Sequence, residues 1–140
     1  MKISILLPYK ENFSPEYPGA VSIFINSVTN LSKYKNLITV FGNTKYKKKY
    51  KLRYTNIPLN KKFLTSQSLE YVEKFIQLEE KNPSNIIEVH NRPIYIKFLE
   101  NLKAKLVLYF HNDPISMNGS KKKIERLKLL NICNKIIFNS

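Results

Sequence analysis

The chain has 140 residues, of which 43% are apolar, with nine tyrosines, eight phenylalanines and a formal net charge of +14. This length and composition suit one globular domain with a substantial core and exclude a disordered chain. No apolar run approaches the roughly 20 residues that cross a bilayer, and the apolar segment at the amino terminus is too short for a signal peptide.

The positive charge comes from 24 Lys and Arg against 10 Asp and Glu. It favours an anionic partner: nucleic acid, an acidic membrane surface or a phosphorylated substrate. The Lys, Asn and Ile bias of an AT-rich genome explains the same charge without a partner. The single cysteine, Cys133, excludes an internal disulfide and fits a reducing compartment, and its apolar neighbours predict a core position. We therefore expect a cytoplasmic protein that is either soluble or peripheral at the inner face of the membrane.

The first third of the chain has the pattern of a strand, a loop and a helix. Residues 3–7 are an apolar run closed by Pro8, typical of a strand buried on both faces of a parallel sheet. The loop over 8–18 exceeds the usual βα connection of about 2–6 residues, which favours a functional loop. A helix then begins at Gly19-Ala20. The residues expected on its apolar face are Val21, Phe24, Ile25, Val28 and Leu31.

The middle of the chain continues the alternation. A second buried strand is predicted over 37–41 and a short third strand over 54–58. A helix is predicted from Ser66 or Ser68, either of which is a suitable N-cap, to about Lys81.

The second half repeats the pattern, with strands predicted over 85–89, 105–110 and 135–138. One helix is expected to open at Pro93. Another is expected after Ser120 as its cap, with Ile124, Leu127 and Leu130 along one side. The whole alternation predicts a Rossmann-like, doubly wound α/β domain over residues 1–140. Its sheet is expected to be mainly parallel, with about six strands and helices on both faces.

Two of the predicted strands end in the same dipeptide, His90-Asn91 and His111-Asn112. Ligands of open α/β sheets bind in the crevice beyond the carboxyl ends of the strands. We therefore expect both histidines to face one crevice.

Several familiar sites are absent from the sequence. No G-x-G-x-x-G follows the first strand and no Walker A loop occurs, which excludes the usual dinucleotide-binding and P-loop classes. No G-x-S-x-G elbow occurs. No His and Glu cluster has metal-ligand spacing, so no metal site is predicted.

Taken together, four segments resemble the N-terminal, acceptor-side half of a GT-B glycosyltransferase of the family 4 type. The first is the opening strand with its long loop and Gly19-Ala20 helix start. The others are the stretches 87–93 (IEVHNRP), 106–114 (LVLYFHNDP) and 136–140 (IIFNS). The resemblance covers essentially the whole chain. It implies transfer of a sugar, with retention, from a nucleotide-sugar co-substrate to a glycan or lipid-linked acceptor. Cell-envelope polysaccharide or lipopolysaccharide synthesis is the expected setting, with no other cofactor.

The resemblance also implies roles for individual residues. His111 would lie near the donor sugar and stabilise charge at the anomeric centre and the leaving phosphate, with Asp113 as a second catalytic residue. Gly19 and Ala20 would approach the donor phosphates at a helix N-terminus. The residues expected to bind substrate beside them are His90, Asn91, Arg92 and Asn112.

Each of these roles has a structural alternative. For His111 the alternative to the favoured catalytic role is a hydrogen bond to a loop carbonyl, and for Asp113 a turn before Pro114 explains the residue at least as well. Asn91 and Arg92 suit a helix cap, and Gly19 suits an ordinary turn after Pro18.

The sequence also departs from the family. Members are much longer, and the missing domain binds the donor and carries a paired-glutamate motif. We therefore expect a C-terminal domain in cis and no turnover by this chain alone. The segment His111-Asn112-Asp113 stands where the family has a plain His-Asp, so the role of Asp113 carries over less securely.

The stretch 45–53 carries six positive charges in nine residues. A solvated loop, contact with anionic lipid and nucleic-acid binding all fit it, and nucleic acid is the least favoured partner. A second hypothesis is therefore a stand-alone basic α/β module that binds lipid or nucleic acid without catalysis. A third is an inactive remnant with an exposed apolar face. The residues expected at a membrane are Lys45, Lys47, Lys48, Lys49, Lys51 and Arg53.

Overall fold

A computed structural model of the chain describes residues 1–59 and 66–139. These residues form an α/β, Rossmann-like domain with one parallel sheet of six strands, as the alternation predicted. The strand order across the sheet is β3-β2-β1-β4-β5-β6. The strands are β1 (Ile3–Leu6), β2 (Ile38–Gly42), β3 (Tyr54–Asn56), β4 (Ile86–His90), β5 (Lys105–Phe110) and β6 (Lys135–Phe138).

Helices cover both faces of the sheet. On one face, Val21 and Ile25 pack against Ile5 and Val40. On the other face, three helices share a larger core with residues such as Leu108. The helices are α1 (Ala20–Leu31) on the first face, and α2 (Gln67–Lys81), α3 (Pro93–Leu99) and α4 (Lys123–Ile132) on the second. Two 3-10 turns are also present, at Lys35–Leu37 and Pro114–Ser116.

The order of the strands reverses between β1 and β4. The chain runs outward from β1 through β2 to β3, and then crosses back to build β4, β5 and β6 on the other side. In a parallel sheet this reversal opens a crevice at the carboxyl edge, where the flanking connections leave on opposite faces. The loops that follow β1, β4 and β5 meet at this edge.

The buried face of α1 differs from the prediction. Val21 and Ile25 are buried as expected, but Val28 is 44% exposed and Leu31 is 90% exposed. The small polar residues Ser22 and Thr29 are buried instead. Apolarity alone therefore did not identify the contact stripe of α1.

The start and face of α4 also differ from the prediction. The helix begins at Lys123, and the Glu125 carboxylate accepts a hydrogen bond from the Lys122 backbone N–H at 2.9 Å. Ser120 instead donates its hydroxyl to the Pro114 carbonyl. Leu129 is the buried residue of this helix, and the three residues expected on its apolar side are exposed by 47–64%. Cys133 is half-buried against the core, where burial raises the pKa of its thiol to about 11.

A buried polar network joins α2 to the start of the sheet. The Glu79 carboxylate accepts hydrogen bonds from the Ser4 hydroxyl at 2.5 Å, the Ser84 N–H at 2.9 Å and the Ser84 hydroxyl at 3.1 Å. All three residues are buried. A buried carboxylate with several donors is stable because its lone pairs are satisfied.

We expect Glu79→Leu to lower the free energy of unfolding by about 2–4 kcal/mol. Leucine replaces the volume but leaves the Ser84 N–H and two hydroxyls without their acceptor. Urea denaturation measures the loss, and Glu80→Leu is the control because Glu80 is the exposed neighbour on the same helix. Equal stability of the two variants would contradict a stabilising role for the network.

Candidate functional site at the carboxyl edge

Asn91 fastens the carboxyl ends of β4 and β5 together. Its backbone N–H donates to the Tyr109 carbonyl at 2.9 Å, and its side-chain Oδ1 accepts from the His111 N–H at 2.7 Å. Its Nδ2 donates to Asn112 Oδ1 at 3.3 Å. The backbone of Asn91 is left-handed, with φ of 50°, a conformation that asparagine tolerates better than most residues. The buried Asn91 therefore positions the two His-Asn pairs.

On the α1 face of the sheet, the two histidines form a hydrogen-bonded chain with a carboxylate. His90 Nδ1 lies 2.8 Å from His111 Nε2, and His90 Nε2 lies 2.6 Å from Glu88 Oε1. His90 is fully buried. The sequence analysis missed Glu88, although its spacing of two residues from His90 in a strand places both on one face.

Aromatic rings enclose the two imidazoles. The Tyr109 ring stacks on both, with centroids 5.1 Å from His90 and 4.6 Å from His111. Phe24 of α1 meets the His111 ring edge-on at 4.9 Å. Burial and the neighbouring His90 lower the pKa of His111 to about 4, and the Glu88 carboxylate opposes that shift.

His111 is therefore neutral at pH 7. A neutral ring can donate and accept hydrogen bonds, but its low pKa makes it a weak base, and it carries no positive charge for the charge stabilisation that the resemblance implies. Because the pKa of His111 is lower in the folded chain, the unfolded chain takes up this proton at a higher pH than the folded chain does. His111 consequently removes stability as the pH falls from about 6.5, the usual histidine pKa, toward 4.

A polar cavity of about 740 Å³ opens at the carboxyl edge, beside the strand-order reversal. We call it the switch-point cavity. Neither histidine is among the described residues that line it. Amide, hydroxyl and cationic groups dominate its wall. The lining residues are Tyr9, Ser66, Ser68, Asn91, Arg92, Ile94, Asn112, Ser116, Met117, Asn118 and Lys121.

The loop after β5 forms one wall of the switch-point cavity. Gly119 has a φ of +95° and lies so close to the backbone of α3 that a Cβ there would come within 2.6 Å of the Ile94 nitrogen. Asp113 is the N-cap of the 3-10 turn, and its carboxylate accepts from the Ile115 N–H at 2.9 Å. Asp113 thus has the turn geometry that the sequence offered as the alternative to a catalytic role.

Arg92 precedes α3 and occupies its N-cap position, but its side chain makes no capping bond to the described part of that helix. Its guanidinium donates to the Asn91 carbonyl at 3.0 Å. The Asn91 side chain also makes its hydrogen bonds with the residues that follow β5 and not with α3. The capping alternative for these two residues is therefore not what the structure shows.

A carboxylate of the chain itself, that of Glu11, already lies at the amino-terminal end of α1. Gly19 is the N-cap, and the Glu11 carboxylate accepts from the Ser22 N–H at 3.0 Å. An added Cβ at Gly19 would lie 1.9 Å from Glu11 Oε1. Because this carboxylate is the end of a flexible side chain that can move aside, the contact does not by itself require glycine at this position. A donor phosphate at Gly19-Ala20 would have to displace this carboxylate.

The cationic stretch 45–53 is the connection between β2 and β3. Tyr50 packs edge-on to the buried Phe13 at 5.1 Å, while Tyr46 stacks at 5.4 Å on Tyr17, which is itself 67% exposed. Lys49 lies over the Tyr54 ring at 5.7 Å. The remaining five cations are exposed: Lys45, Lys47, Lys48, Lys51 and Arg53. The aromatic contacts hold the connection so that these side chains face solvent.

An apolar groove of about 390 Å³ lies between α4 and the edge strand β6. Leu127, Leu130 and Phe138 line it and are 47–64% exposed. Among the described residues, no helix combines the length and apolarity that a bilayer span requires. Within the same residues, no group of three or more His, Cys, Asp and Glu side chains is arranged to hold a metal ion.

Comparison of the chain with protein-family models, with curated proteins and with solved structures found no match. The resemblance to glycosyltransferases therefore depends on the quoted motifs.

We expect Asn91→Gly to lower the free energy of unfolding by about 1–3 kcal/mol, because the buried His111 N–H loses its acceptor. Asn91→Ala should cost about 1 kcal/mol more, since alanine also resists the left-handed backbone. Urea denaturation of both variants separates the two effects. If the alanine variant were as stable as the glycine variant, backbone conformation would not constrain this position.

Proposed function

We propose that this chain is the acceptor-side domain of a glycosyltransferase. The complete enzyme would transfer a sugar from a nucleotide-sugar donor to a glycan or lipid-linked acceptor in cell-envelope synthesis. A second domain in cis would bind the nucleotide sugar. The observation that carries the proposal is the polar switch-point cavity, which belongs to a fold that binds ligands at this position.

The chemistry of the cavity supports a phosphorylated saccharide as its ligand. Asn91, Asn112 and Ser116 offer amide and hydroxyl groups that match sugar hydroxyls in both donor and acceptor character. Arg92 and Lys121 add two positive charges, and arginine suits bidentate contact with phosphate. The volume lies within the range of small-molecule sites, about 300–1,000 Å³.

The proposal extends to a membrane surface for the 45–53 connection. Lipid-linked acceptors lie at membranes, and an exposed cluster of lysines is attracted to anionic head groups. The contact of Tyr50 with the buried Phe13 supports this arrangement, because it anchors the connection to the core while five of its cations are exposed.

The second candidate is a basic α/β module that binds anionic lipid or nucleic acid without catalysis. The same exposed cations favour it, and the histidine pair has no function in it. The two candidates differ in whether the cavity binds saccharide phosphates.

We expect amide-resonance titration with a panel of sugar 1-phosphates to detect binding in the switch-point cavity. Arg92→Ala should weaken the binding about tenfold or more, because a hydrogen bond to a charged group contributes about 1.5–3 kcal/mol. Lys97→Ala removes the same charge from the exposed side of α3 and should leave binding unchanged. Absence of binding across the panel, or equal effects of the two variants, would contradict the proposal.

We also expect the chain to sediment with vesicles that contain anionic phosphatidylglycerol and not with neutral vesicles. Changing Lys47, Lys48 and Lys51 together to Gln should weaken this binding by about 3 kcal/mol, or roughly a hundredfold. The matched control changes the exposed Lys33, Lys35 and Lys103, which lie toward the amino edge of the sheet. If both triple variants lose binding equally, net charge and not the 45–53 connection is responsible.

A further inference from the structure

A second polar cavity, of about 320 Å³, lies between the loops that follow β1 and β2 at the carboxyl edge of the sheet. We call it the β1–β2 cavity. Two ammonium groups, two carboxamides and a tyrosine line it, and none of its described lining residues carries a carboxylate. Its wall therefore has two positive charges and no negative one. The lining residues are Tyr9, Lys10, Asn12, Asn43 and Lys45.

We propose that the β1–β2 cavity binds a phosphate group. Lysine binds phosphate as a point charge, and carboxamide N–H groups donate to the remaining phosphate oxygens. The proposal rests on the proposed function in one respect: the saccharide ligand of the neighbouring switch-point cavity then carries this phosphate as a second anionic group.

The two lysines keep their charges available to a ligand. Lys10 Nζ lies 5.4 Å from the ring centroid of Tyr9, and Lys45 Nζ lies 5.7 Å from that of Tyr46. Neither ammonium group forms an ion pair with a carboxylate of the described residues. The Glu11 carboxylate, which follows Lys10 in sequence, accepts from a backbone N–H of α1 instead. Both cations can therefore attract an anionic ligand without competition from a carboxylate of the chain.

The backbone of Lys10 is left-handed, with φ of 69°. Glycine, asparagine and aspartate adopt this conformation more readily than lysine does. Strained backbone positions occur preferentially at ligand sites, where the surrounding structure holds them. A lysine at this strained position therefore supports a binding role for its side chain.

The two asparagines come from the two loops that form the cavity. Asn43 Nδ2 donates one hydrogen to the Ile57 carbonyl at 2.6 Å, which orients the amide and leaves its second hydrogen for a ligand. The Asn12 carbonyl accepts from the Gly19 N–H at 3.4 Å, which ties that loop to the start of α1. The three terminal oxygens of a phosphate can accept from the amides and the lysines together.

Tyr9 lies in the walls of both polar cavities, which are therefore adjacent. Its backbone N–H donates to the Tyr95 hydroxyl at 3.2 Å, and its own hydroxyl donates to Gln67 Oε1 at 2.5 Å. These bonds fix the ring between the two cavities. A ligand with two phosphate groups can place one beside Arg92 and the other beside Lys10.

Amide-resonance titration with inorganic phosphate, at an ionic strength held constant with sodium chloride, tests the β1–β2 cavity alone. We expect shifts for Tyr9 and for the side-chain amides of Asn12 and Asn43. Changing Lys10 and Lys45 together to Gln should weaken this binding about tenfold or more, because each lysine donates a charge-assisted hydrogen bond.

The matched control changes Lys33 and Lys97 together to Gln. Both are exposed, and each lies over an adjacent aromatic ring as Lys10 and Lys45 do, but neither lines either polar cavity. This variant should bind phosphate as the unmodified chain does. Absence of shifts at the β1–β2 cavity, or equal weakening in the two double variants, would overturn the phosphate site.

Sugar phosphates test whether the two cavities share one ligand. We expect glucose 1,6-bisphosphate to bind about tenfold more tightly than glucose 1-phosphate, because its second phosphate has a high effective concentration at the second cavity. The Lys10 and Lys45 double variant should lose this difference. Equal affinity of the unmodified chain for the two compounds would overturn the shared ligand.

The two titrations separate this inference from the proposed function, because inorganic phosphate contains no saccharide. Phosphate binding in the β1–β2 cavity without binding of glucose 1-phosphate in the switch-point cavity would support the phosphate site and contradict the proposed function. The reverse result would contradict the phosphate site alone.

Discussion

The Asn91 side chain is the constraint on which both parts of the candidate site depend. Its left-handed backbone ends β4, and its Oδ1 holds the first N–H after β5. Because the two strand ends are fixed against each other, their side chains are divided between two surfaces. His90 and His111 lie on the α1 face, while Asn91, Arg92 and Asn112 line the cavity. Two chemically different surfaces thus arise from one dipeptide that occurs twice.

The separation of these surfaces changes the interpretation of the paired histidines. The sequence suggested one crevice that contained every polar residue after β4 and β5. Side chains alternate across a strand, so adjacent residues at a strand end face opposite sides of the sheet. The cavity wall carries amides and cations, and the other face carries two imidazoles that are hydrogen-bonded to each other and to the Glu88 carboxylate.

Much of the fold was predictable because it depends on local patterns. Continuous apolar runs marked β1, β2 and β5, and Pro93 marked the start of α3. Contacts between one helix or strand and another were harder to predict from the sequence. The stripe of α1 includes the polar Ser22 and Thr29, which are buried although no apolar pattern marks them. The anion at Gly19 belongs to Glu11, eight residues away in a loop whose path no local pattern gives.

Glu88 shows where sequence reasoning could have gone further. The strand period of two places it beside His90, and the parallel pairing of β4 with β5 puts Tyr109 opposite His90. His111, two residues beyond Tyr109, then lies on the same face. These steps give proximity but not hydrogen bonds, which depend on rotamers that Phe24 and Tyr109 restrict by packing. The burial that fixes these rotamers also keeps His111 neutral. A single packing arrangement therefore sets both the geometry of the pair and the lowered pKa of His111.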